Sequence, residues 1–575
     1  MGVIGDPQRV SLDAAGGDRS GAALGSAVSA DGRWVAFTSA DGLAGTPTAG
    51  IAQLYVRDRT DGRTVLASAG VAGAAADAPL DDPVDHRAYA ISGDGRYVVF
   101  ATAATNLVAE EPDSGDRDVF RKDLVTGAIT LVSQTSNGGA ANGSVIGNPD
   151  ISFDGSRVAY ETGAATNLWA GDAAPGSDIV VSDLSAGTNV LASADAAGTA
   201  LAGVIRRAAI SADGRVVAFE DDGVITVRNF VTTSTTVGPA GAFPDISGDG
   251  RVVVFRNPGG AIMRAEPVNA TPAQVALAGS EPGVSADGTR VVFQTAEASA
   301  GDVNGVVDVY VRSLPAPAER VSQRANGTDV VRASDRPAMS TDGGSVAFGL
   351  ADGLPSMSLN SSDTDGSPDI LAAALTPTDV TGPSMTLLSP ADGASVTAPT
   401  IGVSGVVTDP SGVVALTVNG FPAALGPTNG FGVEVPLPSG PETITIRAVD
   451  GAGRVSERLV PVVRARPQPA PVAAKARARS LSVVRVKRST RLRFVLDRGA
   501  TRVTVRLWRR VVRPGQAPSW TPANALKRVA ATAGRRTVII SPRLLRPAVY
   551  QVRVTVIAPG GVTVGVIRHA VARRT

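Results

Sequence analysis

One nine-residue phrase constrains this chain more than anything else in it: Ser29-Ala30-Asp31-Gly32-Arg33-Trp34-Val35-Ala36-Phe37. Its form, Ser-x-Asp-Gly followed by a Val-rich run ending in Phe or Tyr, returns at Ser92, Ser152, Ser211, Ser247, Ser285 and Ser340, seven copies in all. Successive copies stand 36 to 63 residues apart. A period of that size marks a repeat architecture, in which each unit buries its apolar face only against its neighbours.

The phrase has a local physical reading. Asp can bond the backbone two residues on, and Gly accepts a positive φ without a Cβ clash, so Asp31-Gly32 makes a tight turn. The run that follows, such as Tyr97-Val98-Val99-Phe100, is apolar at consecutive positions. Continuous apolarity implies a short strand covered on both faces. Two further strands follow in most copies. Asp118-Val119-Phe120-Arg121-Lys122-Asp123-Leu124 returns as Asp178-Ile179-Val180-Val181-Ser182-Asp183-Leu184 and as Asp308-Val309-Tyr310-Val311-Arg312. After a turn comes Leu131-Val132-Ser133, echoed by Leu191-Ala192-Ser193 and Arg320-Val321-Ser322. Each repeat therefore supplies four strands, one blade of a β-propeller.

Ser-x-Asp-Gly-Arg-x-Val-Ala-Phe with a downstream Asp-Val-Tyr-Val-Arg strand resembles the TolB-type, WD-repeat-like β-propeller repeat, over about residues 8–375. The segments Ala165-Thr166-Asn167-Leu168 and Asp302-Val303-Asn304-Gly305 resemble bacterial exported members of that group. Repeats four and five depart from it: Ile225-Thr226-Val227-Arg228 and Ala261-Ile262-Met263-Arg264 lack the leading Asp. The seventh repeat never writes its Leu-Val-Ser strand, but Arg9-Val10-Ser11-Leu12 at the other end matches Arg320-Val321-Ser322-Gln323. The expected fold is all-β: a seven-bladed propeller whose last blade is closed by the N-terminal strand, followed by two small β-sandwich domains.

From about residue 381 the composition changes. Asp409-Pro410-Ser411-Gly412, Val418-Asn419-Gly420 and Asp450-Gly451-Ala452-Gly453 recur at the turn spacing of a small sandwich. Residues 381–464 resemble a bacterial immunoglobulin-like module, with Arg454 where that family often has Asn, and read as a spacer. A Pro/Ala/Arg linker is expected over 465–479 and a basic sandwich over 480–575. Charge separates the two ends. Residues 475–575 hold 24 Lys+Arg against a single acid, Asp497, so the preceding residues hold 30 basic against 52 acidic side chains. The net charge of +1 conceals these opposed halves. An end so basic implies an anionic polymer or lipid surface as its partner. It carries no aromatic-rich recognition motif, so specific nucleic-acid binding is not expected.

The chemistry available is narrow. The chain has no cysteine, which excludes disulfides, thiol-ligated metals and a cysteine nucleophile, and two histidines, His86 and His569. No multi-histidine metal cluster is possible. Aligning the repeats on their serines places His86, Arg87, Arg206, Arg207, Glu281, Asp335 and Arg336 at the channel mouth, a mixed-charge ring suited to a polar or anionic ligand. A second pattern, Asp-x-Asn/Asp-Gly-x-x-Asp, brings Asp302, Asn304 and Asp308, and again Asp363, Asp365 and Asp369, around Gly-assisted turns. Alternating oxygen ligands of this kind suit calcium. The reading of function is a non-enzymatic extracellular or cell-envelope binding or scaffold protein. Its propeller is the platform for a protein or glycan ligand, and its basic C-terminal domain the anchor. Propeller enzymes of the oligogalacturonate-lyase kind supply the alternative: a lyase or hydrolase cutting an anionic glycan near His86 and Arg207. No apolar run reaches the roughly 18 residues a spanning helix needs, and no signal peptide is read at the start.

Overall fold

The computed structural model describes the chain except for residues 1–5, 18–20, 71, 81–87, 110–115, 164, 170–175, 298–304, 324–332, 352–366, 466–477, 487–488, 497–501, 512, 514–516, 530–533, 541–547, 559–560 and 572–575. The described residues are all-β and fall into two compact units, Met1–Arg464 and Ala465–Thr575.

The Ser-x-Asp-Gly turn is built the same way in every repeat. The serine hydroxyl donates to the aspartate two residues on, at 2.5 to 2.9 Å. The same oxygen accepts the backbone N–H five residues on, at 2.8 to 3.0 Å. The aspartate Oδ1 accepts the N–H of the residue after the glycine, at 2.7 to 3.1 Å. All seven serines are at most 1 % exposed, so a serine left unbonded there would be costly. The glycines sit at φ between 69° and 74°. A Cβ on Gly95 would lie 2.2 Å from the Trp34 ring of the preceding blade, and one on Gly155 2.2 Å from Tyr97. Conformation and close approach both demand glycine.

These turns join into a circle. The N–H groups of Ala30, Asp94, Phe153, Ala212, Gly248, Ala286 and Asp342 donate, in that order, to the carbonyls of Gly93, Phe153, Ala212, Gly248, Ala286, Thr341 and Ala30, at 2.8 to 3.1 Å. The last bond returns to the first blade, so the ring is closed at this end by backbone alone. Radially, seven four-stranded antiparallel sheets follow one another. Their inner strands are Ala23–Val28, Tyr89–Ile91, Gly147–Ile151, Ile205–Ile210, Ala242–Ile246, Ser280–Val284 and Ser334–Met339. Eight residues after each serine stands Phe37, Phe100, Tyr160, Phe219, Phe255, Phe293 or Phe348, none more than 2 % exposed. Each such ring contributes about 1.5–3 kcal/mol by leaving water. This is a β-propeller.

The N-terminal strand closes it, as the sequence leads one to expect. Gln8–Arg9 pairs antiparallel with Asp369–Ala374, and Val10 N–H donates to the Ile370 carbonyl at 2.8 Å. Side chains repeat a latch found elsewhere. Ser133, Ser193 and Ser322 donate to Asp118, Asp178 and Asp308 at 2.5 to 2.6 Å, and Ser11 donates to Asp369 at 2.7 Å. Arg9 completes the pattern by an ion pair with Asp369, where Arg320 approaches Asp308 to 3.7 Å. Ser11 thus does, from the far end of the chain, what the fourth strand of a blade does locally.

The following sandwich packs a three-stranded sheet on a five-stranded one over Val403, Leu416, Phe431, Ile444 and Val460. It is more than a spacer. Two of its turns seat on the circle of Ser-x-Asp-Gly turns: Thr341 Oγ1 donates to the Gly451 carbonyl at 2.7 Å, and Arg454 Nη2 lies 3.1 Å from Asp342 Oδ2. The backbones approach so closely that a Cβ on Gly248 would meet the Ser411 carbonyl oxygen at 2.3 Å. A Cβ on Gly453 would reach Phe153 at 3.5 Å and Ala30 at 4.0 Å. Blades one, three, five and seven therefore all touch the sandwich, which covers this end of the channel. The second unit forms two sheets, one of Ala478–Val486, Ser489–Leu496 and Gly534–Ile540, the other of Ser519–Val529, Arg502–Val511, Ala548–Ala558 and Gly561–Val571.

Removing residues 1–13 leaves the Asp369–Ala374 strand with an unpaired edge. The truncated chain is expected to aggregate or to lose cooperative unfolding in a thermal melt followed by circular dichroism; a melt and solubility equal to the intact chain would contradict the closure.

Candidate functional site

At the end of the ring away from the sandwich, six of the seven inner strands are distorted at one repeated position. Four residues before the motif serine stand Gly25, Asn148, Arg207, Phe243, Glu281 and Arg336, with φ of 66°, 47°, 51°, 56°, 49° and 51°. At each the pairing with the second strand slips, as between Gly147 and Asp150 or between Asp335 and Ala338. These are β-bulges with one left-handed residue, a device that re-aims a side chain. Five of the six are not glycine, and a left-handed residue with a Cβ costs roughly 1–2 kcal/mol. Proline follows in four: Pro149, Pro244, Pro282 and Pro337. Its missing N–H is tolerated where the ladder is already interrupted.

The bulges surround a cavity of about 260 Å³ along the ring axis, lined among others by Tyr89, Asn148, Asp150, Phe243, Asp245, Glu281 and Arg336. Its polar groups are held in place. Asn148 Nδ2 donates to buried Glu161 at 3.2 Å. Asp150 and Asp245 accept the N–H groups of Ile210 and Val284, each on the inner strand of the next blade, at 2.8 and 2.7 Å. Arg336 donates its N–H to Gln294 Oε1 at 2.6 Å. Beside the cavity, the Arg207 guanidinium lies 4.1 Å from the Phe243 ring centroid and 2.8 Å from Glu220. Cation–π contact and ion pair together fix that charge against an aromatic face. The result is a pre-set ring of cationic, anionic, amide and aromatic groups around a hole of small-ligand size.

Of the residues the sequence pointed to, Glu281 and Arg336 line the cavity. Arg207 stands at the same bulge position but packs beside it, Arg206 is exposed outside it, and Asp335 flanks Arg336 with 3.9 Å between their charged groups. His86 and Arg87 lie outside the described residues. Sequence reasoning missed Asn148, Asp150, Phe243 and Asp245. Counting back four residues from every serine, instead of collecting charges near it, would have found Asn148 and Phe243. Of the calcium pattern, Asp302, Asn304, Asp363 and Asp365 also lie outside the described residues. Asp308 and Asp369 are buried, with their carboxylates bonded to Ser322 and Ser11 and facing Arg320 and Arg9.

In the second unit, Arg502, Arg506 and Arg510 are exposed on one strand while Val503 and Val505 are buried. The alternation of a strand puts Arg502 and Arg506 on the outer face. Arg553 pairs opposite Arg506 and lies 4.3 Å from the Trp508 ring centroid, adding a further cation to the same face.

No family model matches the chain, and no curated protein matches it. Solved structures do. An oligogalacturonate lyase from Vibrio parahaemolyticus is similar at 13 % identity and a TM-score of 0.38, covering 65 % of this chain and 91 % of its own. An oligogalacturonate lyase in complex with manganese matches at 15 % identity and a TM-score of 0.40, covering 65 % and 97 %. A TolB structure from Agrobacterium tumefaciens matches at 17 % identity and a TM-score of 0.29, covering 50 % and 90 %.

Strain at the bulges is measurable. At a left-handed position Gly should exceed Ala in stability by about 1 kcal/mol, the reverse of their order in ordinary strand. Chemical denaturation of Arg336→Gly and Arg336→Ala is expected to show that order. An Ala variant equal to or more stable than the Gly variant would show that the bulge is not strained.

Proposed function

We propose that the protein is a non-enzymatic binding or scaffold protein of the cell envelope or extracellular space. In this reading the bulge-lined cavity holds a polar or anionic ligand, a glycan or a protein side-chain cluster, and the basic C-terminal unit anchors the molecule to an anionic polymer or lipid surface. The observation that carries the reading is the set of non-glycine residues held in left-handed backbone around one cavity. Strain retained at one repeated position, with Asn, Arg, Phe and Glu side chains distributed among the blades, is what a binding site costs and what a purely structural ring would shed. The opposite end of the channel is covered by the sandwich, which leaves the bulged mouth as the approach. Its side chains mix cationic, anionic, amide and aromatic groups and are pinned by neighbours, an arrangement suited to orienting a ligand. Among the described residues no helix is long and apolar enough to cross a membrane. The anchor rests on the exposed row Arg502, Arg506 and Arg510.

Two measurements test this. The full chain, screened against anionic and neutral glycans, is expected to retain an anionic one. Arg336→Gln should weaken that binding by about 10- to 100-fold, the size of a charge-assisted hydrogen bond. Retention unaffected by Arg336→Gln removes the cavity from the account, and product release from the glycan favours the lyase alternative. For the anchor, the full chain should bind anionic vesicles or wall polymer at about 0.05 M salt and release at about 0.5 M, as screening shortens the reach of exposed charges. The triple change Arg502→Gln, Arg506→Gln, Arg510→Gln should abolish that binding. Salt-independent binding, or none at low salt, would overturn the anchor.

A further inference from the structure

Three carboxylates meet beneath the seat of the sandwich on the propeller. Asp379 belongs to the segment between Asp369–Ala374 and Ser384–Ser389, Asp409 follows the strand Thr400–Thr408, and Asp450 ends the strand Gly440–Asp450. One carboxylate oxygen from each lies within 4.8 Å of the others. We propose that Asp379, Asp409 and Asp450 form a calcium site that fixes the sandwich turns against the propeller.

Asp450 is the member of the cluster that most calls for a cation. Asp450 is fully buried; its Oδ1 accepts the N–H groups of Ala452 and Arg454 at 2.9 and 2.8 Å, but its buried Oδ2 has no hydrogen-bond partner. A buried carboxylate oxygen left bare is expensive unless a proton or a metal occupies it. The adjacent guanidinium of Arg454 is committed elsewhere, its Nε to the Asp379 carbonyl oxygen at 3.1 Å and its Nη2 to Asp342 at 3.1 Å.

The donors select the ion. All are hard oxygens, which excludes the nitrogen and sulfur chemistry preferred by zinc. Calcium takes several carboxylate oxygens at about 2.3–2.6 Å in flexible geometry. The three oxygens lie within 4.8 Å of one another, close enough for one such ion to bridge them. The ion would hold together the turns carrying Ser411 and Gly451, whose backbones press on Gly248 and Ala212. This site is distinct from the loops of Asp302 and Asp363.

The test uses the full chain, stripped with a chelator and titrated with calcium alone by calorimetry and by thermal melting. Wild type is expected to bind calcium and to melt higher with it. Asp450→Asn keeps the Oδ1 acceptor and should lose the binding and the shift; Asp409→Asn, at a half-exposed position that does not threaten folding, should do the same. Asp302→Asn with Asp363→Asn should leave this binding unchanged. The proposal is overturned if wild type shows no heat and no shift at millimolar calcium, if Asp409→Asn binds as wild type does, or if magnesium stabilises equally.

Discussion

Everything in the first unit depends on one buried contact repeated seven times, the serine hydroxyl that donates to its aspartate and accepts the N–H five residues on. That contact sets the turn, and the turn presents one backbone N–H to the next blade. The blades are thereby joined in a closed circle of backbone hydrogen bonds. Apolar rings at Phe37 and its equivalents then fill the wedges between sheets. Hydrogen bonds place the blades; hydrophobic burial holds them there.

A ring fixed so tightly at one end permits deformation at the other. The bulges at Asn148, Arg207, Phe243, Glu281 and Arg336 interrupt the inner strands where no circle of backbone bonds constrains them. Asn148, Phe243, Glu281 and Arg336 line the axial cavity, and Arg207 packs beside it on Phe243. The sandwich completes the asymmetry by covering the rigid end, with Thr341, Asp342 and Gly248 in contact with its turns. Closing the ring also needs a strand from outside the seventh repeat, and Arg9 and Ser11 supply it at Asp369.

What was legible in the sequence is what is local. Ser-x-Asp-Gly fixes its own turn within six residues, so its recurrence announced the blades. Ser11 was legible because it copies Ser322 and needs only the same partner, an aspartate heading the third strand. The bulge ring was not legible in full: Gly25, Asn148, Phe243 and Glu281 share a backbone conformation and no side-chain chemistry, so a search for charges passed over three of them. The seat of the sandwich was hidden for a different reason. It depends on Ser411 meeting Gly248 and Gly451 meeting Thr341, contacts between residues over a hundred positions apart that leave no periodic trace. The burial of Asp450 follows from that seat and was equally invisible, since Asp-Gly-Ala-Gly reads as an ordinary exposed turn.

The central claim is that the circle of inter-blade backbone bonds is one cooperative structure. Residue-resolved amide hydrogen exchange on the intact chain tests it directly. The amides of Ala30, Asp94, Phe153, Ala212, Gly248, Ala286 and Asp342 should exchange among the slowest in the protein and with a common opening free energy, that of global unfolding. Exchange of these turn amides at rates typical of exposed loops, or at rates that differ from blade to blade, would contradict the account.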